Sequence, residues 1–175
     1  MRTEDIMVLL ENYNSNRARF AYLEVAIADL ADQIGKARSM MITNEVMRAS
    51  GLDGMPKGNA VTSQVENLAV RLADGWTPEY VTEMEEELKG MQIEKESVRR
   101  KVAYVDAWLL ALSEKQGWVI RQHIIAGKSW AEMIFLWGKE YGTASKTTMK
   151  RLRDSAMAVI ENTCRKSPKP EMSRI

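Results

Sequence analysis

Residues Leu112–Thr163 read LSEKQGWVIRQHIIAGKSWAEMIFLWGKEYGTASKTTMKRLRDSAMAVIENT, a run that holds three short helical patterns, each opened by a serine. Ser113 stands three residues before Gln116, and Ser129 three before Glu132. Both have the spacing of a capping box, in which the hydroxyl and the later side chain satisfy each other's orphan backbone amides. Ser145 precedes Thr148 by the same interval, which predicts a cap without the full box. Lys146, Lys150, Arg151 and Arg153 head the third pattern. Two short helices followed by a third with a basic head predict a helix-turn-helix module that meets DNA through its last helix.

Apolar spacing assigns the module its core. The first helix is expected to bury Val119, Ile120, Ile124 and Ile125 and to stop at Gly127. The second turns Trp130, Met133, Ile134 and Trp137 inward, and ends either at Gly138 or, running on to Tyr141, before Gly142. In the third, Met149, Leu152, Ala156, Val159 and Ile160 make the core stripe. Thr147, Lys150, Arg151 and Asp154 then face away from that stripe, with Lys146 and Arg153 on the rims. The candidate DNA-binding set is therefore Ser145, Lys146, Thr147, Lys150, Arg151 and Arg153. Free amides at the helix start together with Ser145 suit a phosphate, Lys150 and Arg151 can reach guanine edges or phosphates, and Thr147 can meet a thymine methyl. A solvated amphipathic face is the plain alternative. Four basic residues among eight, at the head of the third helix, favour DNA.

Upstream of the module the pattern is that of long helices. From Thr3 to Met47 apolar residues fall at Tyr13, Phe20, Leu23, Ile27, Leu30, Ile34, Ala37 and Met41, spaced alternately by threes and fours, with Asn16 in the one polar slot. From Thr77-Pro78, a cap followed by proline at the first helical position, a second series runs through Val81, Met84, Leu88, Met91, Val98, Val102, Val105, Leu109 and Leu112, broken only by Lys95. Between them lie a glycine- and proline-rich loop at 50–61, a short helix capped by Ser63 and Glu66, and Trp76 in a turn. The loop lacks the order of a phosphate-binding G-x-x-x-x-G-K-[ST] motif. The expected fold is all-α: long antiparallel coiled-coil-like helices over 1–112, a three-helix helix-turn-helix domain over 113–166 and a flexible tail at 167–175. Pairing of the two seams within one chain and pairing between chains, as a homo-oligomer, are equally consistent with the pattern.

Charge supports this division. From Ser113 onward there are twelve Lys or Arg against six Asp or Glu, while the preceding residues hold 13 against 18. Such asymmetry points to a polyanion at the basic end. Glu83, Glu85, Glu86 and Glu87 read as a solvated face. One cysteine, Cys164, and one histidine, His123, leave no disulfide framework, no zinc set and no nucleophile–base pair, so neither an enzyme nor a cofactor is expected. No apolar run approaches the length of a membrane span, and a cytoplasmic protein is expected.

The residues Gln116, Val119, Ile120, Ala126-Gly127-Lys128-Ser129-Trp130-Ala131-Glu132-Met133-Ile134, Ser145, Thr148 and Lys150-Arg151-Leu152 resemble region 4 of sigma-70 factors. More closely, they resemble the phage-encoded transcriptional regulators of the RinA and ArpU type, in which a long helix and a loop similar to residues 50–58 precede the module. The resemblance covers roughly residues 40–165. It implies a regulator of late or packaging genes of a phage or prophage, acting on double-stranded promoter DNA and touching host RNA polymerase. In one respect the chain departs from that pattern: residues 137–144 make a longer turn than the family's, which bears on how the last helix docks. Two other classes share these features. One is a DNA-packaging adaptor like a small terminase subunit, although those place the DNA module first. The other is an antitermination factor that binds RNA polymerase.

Overall fold

A computed structural model describes residues 2–49 and 77–166. They form six α-helices: α1 (Thr3–Glu11), α2 (Tyr13–Ala49), α3 (Glu79–Ala111), α4 (Glu114–Ile120), α5 (Trp130–Glu140) and α6 (Lys146–Lys166). No strand occurs among the described residues, so the fold is all-α as expected. The loop at 50–61, the Ser63–Glu66 cap, Trp76, the side chain of Met41 and the tail at 167–175 lie outside what the structure describes.

The helix expected from Thr3 onward is interrupted at Asn12, which sits at φ −88°, ψ 6° and donates its side-chain amide to the Val8 carbonyl at 2.8 Å. A short polar side chain that bonds its own backbone competes with helical continuation, and here it separates α1 from α2. The separation has a structural use. In α1, Ile6 and Leu10 are fully buried, and they pack with Tyr13, Val105, Trp108, Leu109, Ile120, Ile124, Ala156 and Ile160. One core thus takes side chains from the start of the chain, the end of α3, the first short helix and the last one.

The chain accordingly divides into two compact units, one made of residues up to Phe20 together with those from Glu96 onward, the other of Ala21–Lys95. The expected domains followed chain order with a boundary at 112; the compact units follow contacts, and residues at both ends of the chain share one of them.

In the Ala21–Lys95 unit, Leu30, Ile34 and Val81 form the buried centre, with Ala37, Met84, Leu88 and Met91 against them. Arg38 pairs with Glu85, and Lys95 with Glu24 at 3.2 Å, which makes α2 and α3 antiparallel within this unit. The one polar interruption of the second seam, Lys95, is therefore neutralised by a carboxylate on the facing helix. Leu30, Ile34 and Ala37 of the first series thus pack with Val81, Met84, Leu88 and Met91 of the second within this unit.

Candidate nucleic-acid interface

Both predicted capping boxes form. The Ser113 amide donates to Gln116 Oε1 at 3.1 Å and the Gln116 amide to Ser113 Oγ at 3.4 Å. The Ser129 amide donates to Glu132 Oε2 at 2.8 Å, with the return bond at 3.4 Å. The Ser129 hydroxyl, which donates to Glu132 Oε2 at 2.7 Å, and then the Ser129 amide hold the Glu132 carboxyl below the usual glutamate range. Helix α4 runs directly into one π-helical turn, Arg121–Ile125, closed by the Ala126 amide on the Arg121 carbonyl at 2.9 Å. Gly127, at φ 65°, then reverses the chain in a region that side chains disfavour.

A second core cluster holds α4, α5 and the start of α6 together. Trp118, Val119, Met133, Trp137 and Met149 are buried in it, and Trp130, Ile134, Leu136, Tyr141, Ala144 and Leu152 pack around them. Trp118 and Trp137 meet edge to face at 5.2 Å, an arrangement the ring quadrupoles favour. His123 lies 3.9 Å from Trp130, its Nδ1 3.0 Å from the Lys128 carbonyl, and is half-buried.

Helix α5 continues through Gly138 to Glu140 and is capped by Tyr141. The connection to α6 is Tyr141–Ser145, with Gly142 at φ 86°. Tyr141 folds back onto the module: its ring lies 4.5 Å from Trp137 and 6.3 Å from Trp118, and its hydroxyl donates to Glu114 Oε1 at 2.8 Å. The bond to Glu114 raises the phenol above its ordinary pKa. Of the two expected ends for the second helix the later one forms, so residues 137–144 are mostly the lengthened end of that helix and an anchored aromatic.

Helix α6 begins at Lys146. Ser145 Oγ accepts the Thr148 amide at 3.2 Å and lies 3.0 Å from the Thr148 hydroxyl. Its first turn contains no acidic residue, whereas α5 carries Glu132 at the corresponding place. The positive end of the α6 dipole is thus left without a carboxylate. Met149, Ala156 and Ile160 are fully buried along one side. Ser145, Lys146, Thr147, Lys150 and Arg151 are all exposed: Thr147, Lys150 and Arg151 lie away from that stripe, Lys146 on its rim, and Ser145 at the cap. Lys146, Lys150 and Arg151 make no ion pair with any described residue.

Arg153, the sixth predicted residue, is placed differently. Its guanidinium binds Asp154 through Nε at 2.9 Å and a terminal nitrogen at 2.7 Å, and lies 5.5 Å from the Trp130 ring centre. It is half-buried and borders a groove with Thr3 and Met7 of α1. The structure therefore leaves five of the six exposed around the head of α6 and gives Arg153 local partners. Tyr141 and Trp118 were not singled out from the sequence. Tyr141 could have been found from its spacing, four residues after the inward Trp137.

Cys164 is half-buried, and burial pushes its thiol up, away from the reactive thiolate. Among the described residues no group of three or more His, Cys, Asp or Glu could hold a metal ion, and no helix is long and apolar enough to cross a membrane. Comparison with protein-family models, with curated proteins and with solved structures finds no match to this chain.

Proposed function

We infer that the chain is a sequence-specific DNA-binding transcriptional regulator that lays the amino-terminal half of α6 into the major groove of promoter DNA. The observation that carries this reading is the head of α6. Three cations without ion pairs among the described residues, two hydroxyls and an uncompensated helix dipole are exposed around it, and buried residues along the opposite stripe hold it in place. Unpaired cations on a rigid helix are what a phosphate backbone recruits, because counterion release rewards each contact. Lys150 and Arg151 lie far enough along the helix to meet base edges, while Ser145 and Thr147 at its start suit phosphates. The similarity of Gln116–Leu152 to region 4 of sigma-70 factors and to the RinA and ArpU regulators supports the same reading, and suggests late or packaging genes of a phage or prophage.

Selection of bound duplexes from a random pool, followed by affinity measurements over a salt series, tests it. One short motif should emerge, and log affinity should fall linearly with log salt. Replacing Lys150 and Arg151 together with Ala should abolish selection. If Lys146, Lys150 and Arg151 can all be neutralised without loss of DNA affinity, the reading is wrong.

A further inference from the structure

We propose that Tyr141 is a positioning residue for base readout, fixing the approach of the α6 head through its hydrogen bond to Glu114; the proposal rests on the DNA-binding reading above. The connection Tyr141–Ser145 decides where α6 begins and how it is aimed. Five residues that include a glycine at φ 86° can run in many ways. Tyr141 selects among them. Its ring seats the start of the connection on Trp137 and Trp118, and its hydroxyl reaches Glu114 in the first turn of α4, 27 residues upstream. Gln116, two residues after Glu114, donates its side-chain amide to Ser155 of α6 at 2.9 Å. The first turn of α4 therefore holds both ends of the head: the turn that feeds it, through Glu114, and the helix behind it, through Gln116.

The two parts of Tyr141 do different work. The ring belongs to the core cluster, so removing it loosens packing. The hydroxyl bond is exposed, and an exposed polar bond adds little to global stability because water replaces it readily. Its effect falls on geometry. Sequence is read by directional hydrogen bonds to base edges, whereas the counterion-release attraction of Lys and Arg for phosphates carries non-specific binding whatever the sequence. Loss of the bond should consequently reduce discrimination between sequences while leaving non-specific affinity in place.

Tyr141→Phe keeps the ring and removes the bond. In the full-length chain, the ratio of affinity for the selected site to that for random duplex should fall about two- to tenfold, the ceiling set by a single hydrogen bond. Non-specific affinity and the urea midpoint should not move. Glu114→Ala should have the same effect, the double variant should be no worse than either single, and Glu114→Gln, which keeps an acceptor, should restore the ratio. Amide exchange in the DNA-free chain provides a readout independent of DNA: the Thr148 and Met149 amides, which Ser145 accepts, should exchange faster in Tyr141→Phe. An unchanged affinity ratio in Tyr141→Phe overturns the proposal, as does additivity of the two single variants. If the unaltered chain selects no sequence at all, the DNA reading falls and the readout role with it. Exchange at Thr148 and Met149 would then show whether the clamp itself exists.

Discussion

Truncation of Ile6 and Leu10 in α1 is expected to destabilise the basic module, although more than a hundred residues of chain separate them from it. Both side chains are fully buried, and their partners include Ile120 and Ile124 of the first short helix and its π turn and Ala156 and Ile160 of α6. Ile→Ala or Leu→Ala deletes three carbons worth about 0.8 kcal/mol each in transfer. The cavity left in a core that cannot close raises the usual cost to about 2–5 kcal/mol. Domains are stable by only about 5–15 kcal/mol, so either variant removes a large share, and the pair should leave the unit largely unfolded. Val8→Ala is the control: Val8 is 55% exposed on the same helix, and its truncation should stay within about 0.5 kcal/mol. Urea titration followed by tryptophan fluorescence suits the question, because Trp108, Trp118, Trp130 and Trp137 all belong to this unit. With a slope of about 1–3 kcal/mol per molar urea, Ile6→Ala should lower the midpoint by about 1 M or more. A shift no larger than that of Val8→Ala would refute the claim that α1 completes this core. The same reasoning predicts that residues 113–166 expressed alone will not unfold cooperatively, since Ile120, Ile124, Ala156 and Ile160 lose α1 and α3 as partners.

Further outcomes follow from individual side chains. Lys150→Ala should lower the slope of log affinity against log salt by about 0.9 if Lys150 holds a phosphate. Arg153→Ala should leave that slope nearly unchanged, since Asp154 and Trp130 already engage the guanidinium; an equal loss from both variants would show that Arg153 leaves its partners to meet DNA. Ser129→Ala should cost about 1 kcal/mol by denaturant titration at neutral pH. Glu132 is held below its ordinary pKa, so its contribution is fully present above the ordinary glutamate range and is lost as pH falls through its depressed value. The difference in thermal midpoint between the unaltered chain and Glu132→Ala should therefore shrink on acidification, and a difference that grows would contradict the capping geometry.

Local rules carried much of this fold, and they failed where distant parts of the chain meet. Capping boxes at Ser113 and Ser129 depend on residues three apart, and both form. The apolar series on the two long helices marks buried or half-buried positions along α2 and α3, and Lys95 was visible as its one break. Trp108 escaped because a heptad series marks a narrow seam, whereas the end of α3 packs among α1, the α4 region and α6 and buries a wider arc, taking Trp108 to 3% exposure. The break at Asn12 escaped for a related reason: an asparagine within a helical pattern costs little by itself, and only the core it lets α1 reach makes the interruption worthwhile. Among the site residues, exposure of Thr147, Lys150 and Arg151 follows from helical period, and that of Ser145 and Lys146 from their place at the cap and first position of α6. The placement of Arg153 does not, since it depends on Trp130 from another helix.

Helix α6 joins the two core clusters, and this separates what stabilises its head from what aims it. Met149 sits in the aromatic cluster with Trp118 and Trp137, while Ala156 and Ile160, two and three turns further on, sit in the cluster that α1 completes. The far half of the helix is secured chiefly by burial, which is insensitive to small rotations of the side chains around it, with exposed bonds from Gln116 to Ser155 and from Thr3 to Glu161 beside it. The near half is set by Met149 together with directional bonds: Ser145 on the Thr148 amide and Tyr141 on Glu114. Lys146, Thr147, Lys150 and Arg151 all lie within the first two turns, inside the part that directional bonds govern. On the DNA-binding reading, changes in α1 should therefore alter how much folded module is present without altering which sequence it prefers, and loss of the Tyr141–Glu114 bond alone should weaken that preference without unfolding the module. An Ile6 variant that changes the selected motif while remaining folded would mean that the two halves of α6 are not independent, and that burial also helps to set the docking angle.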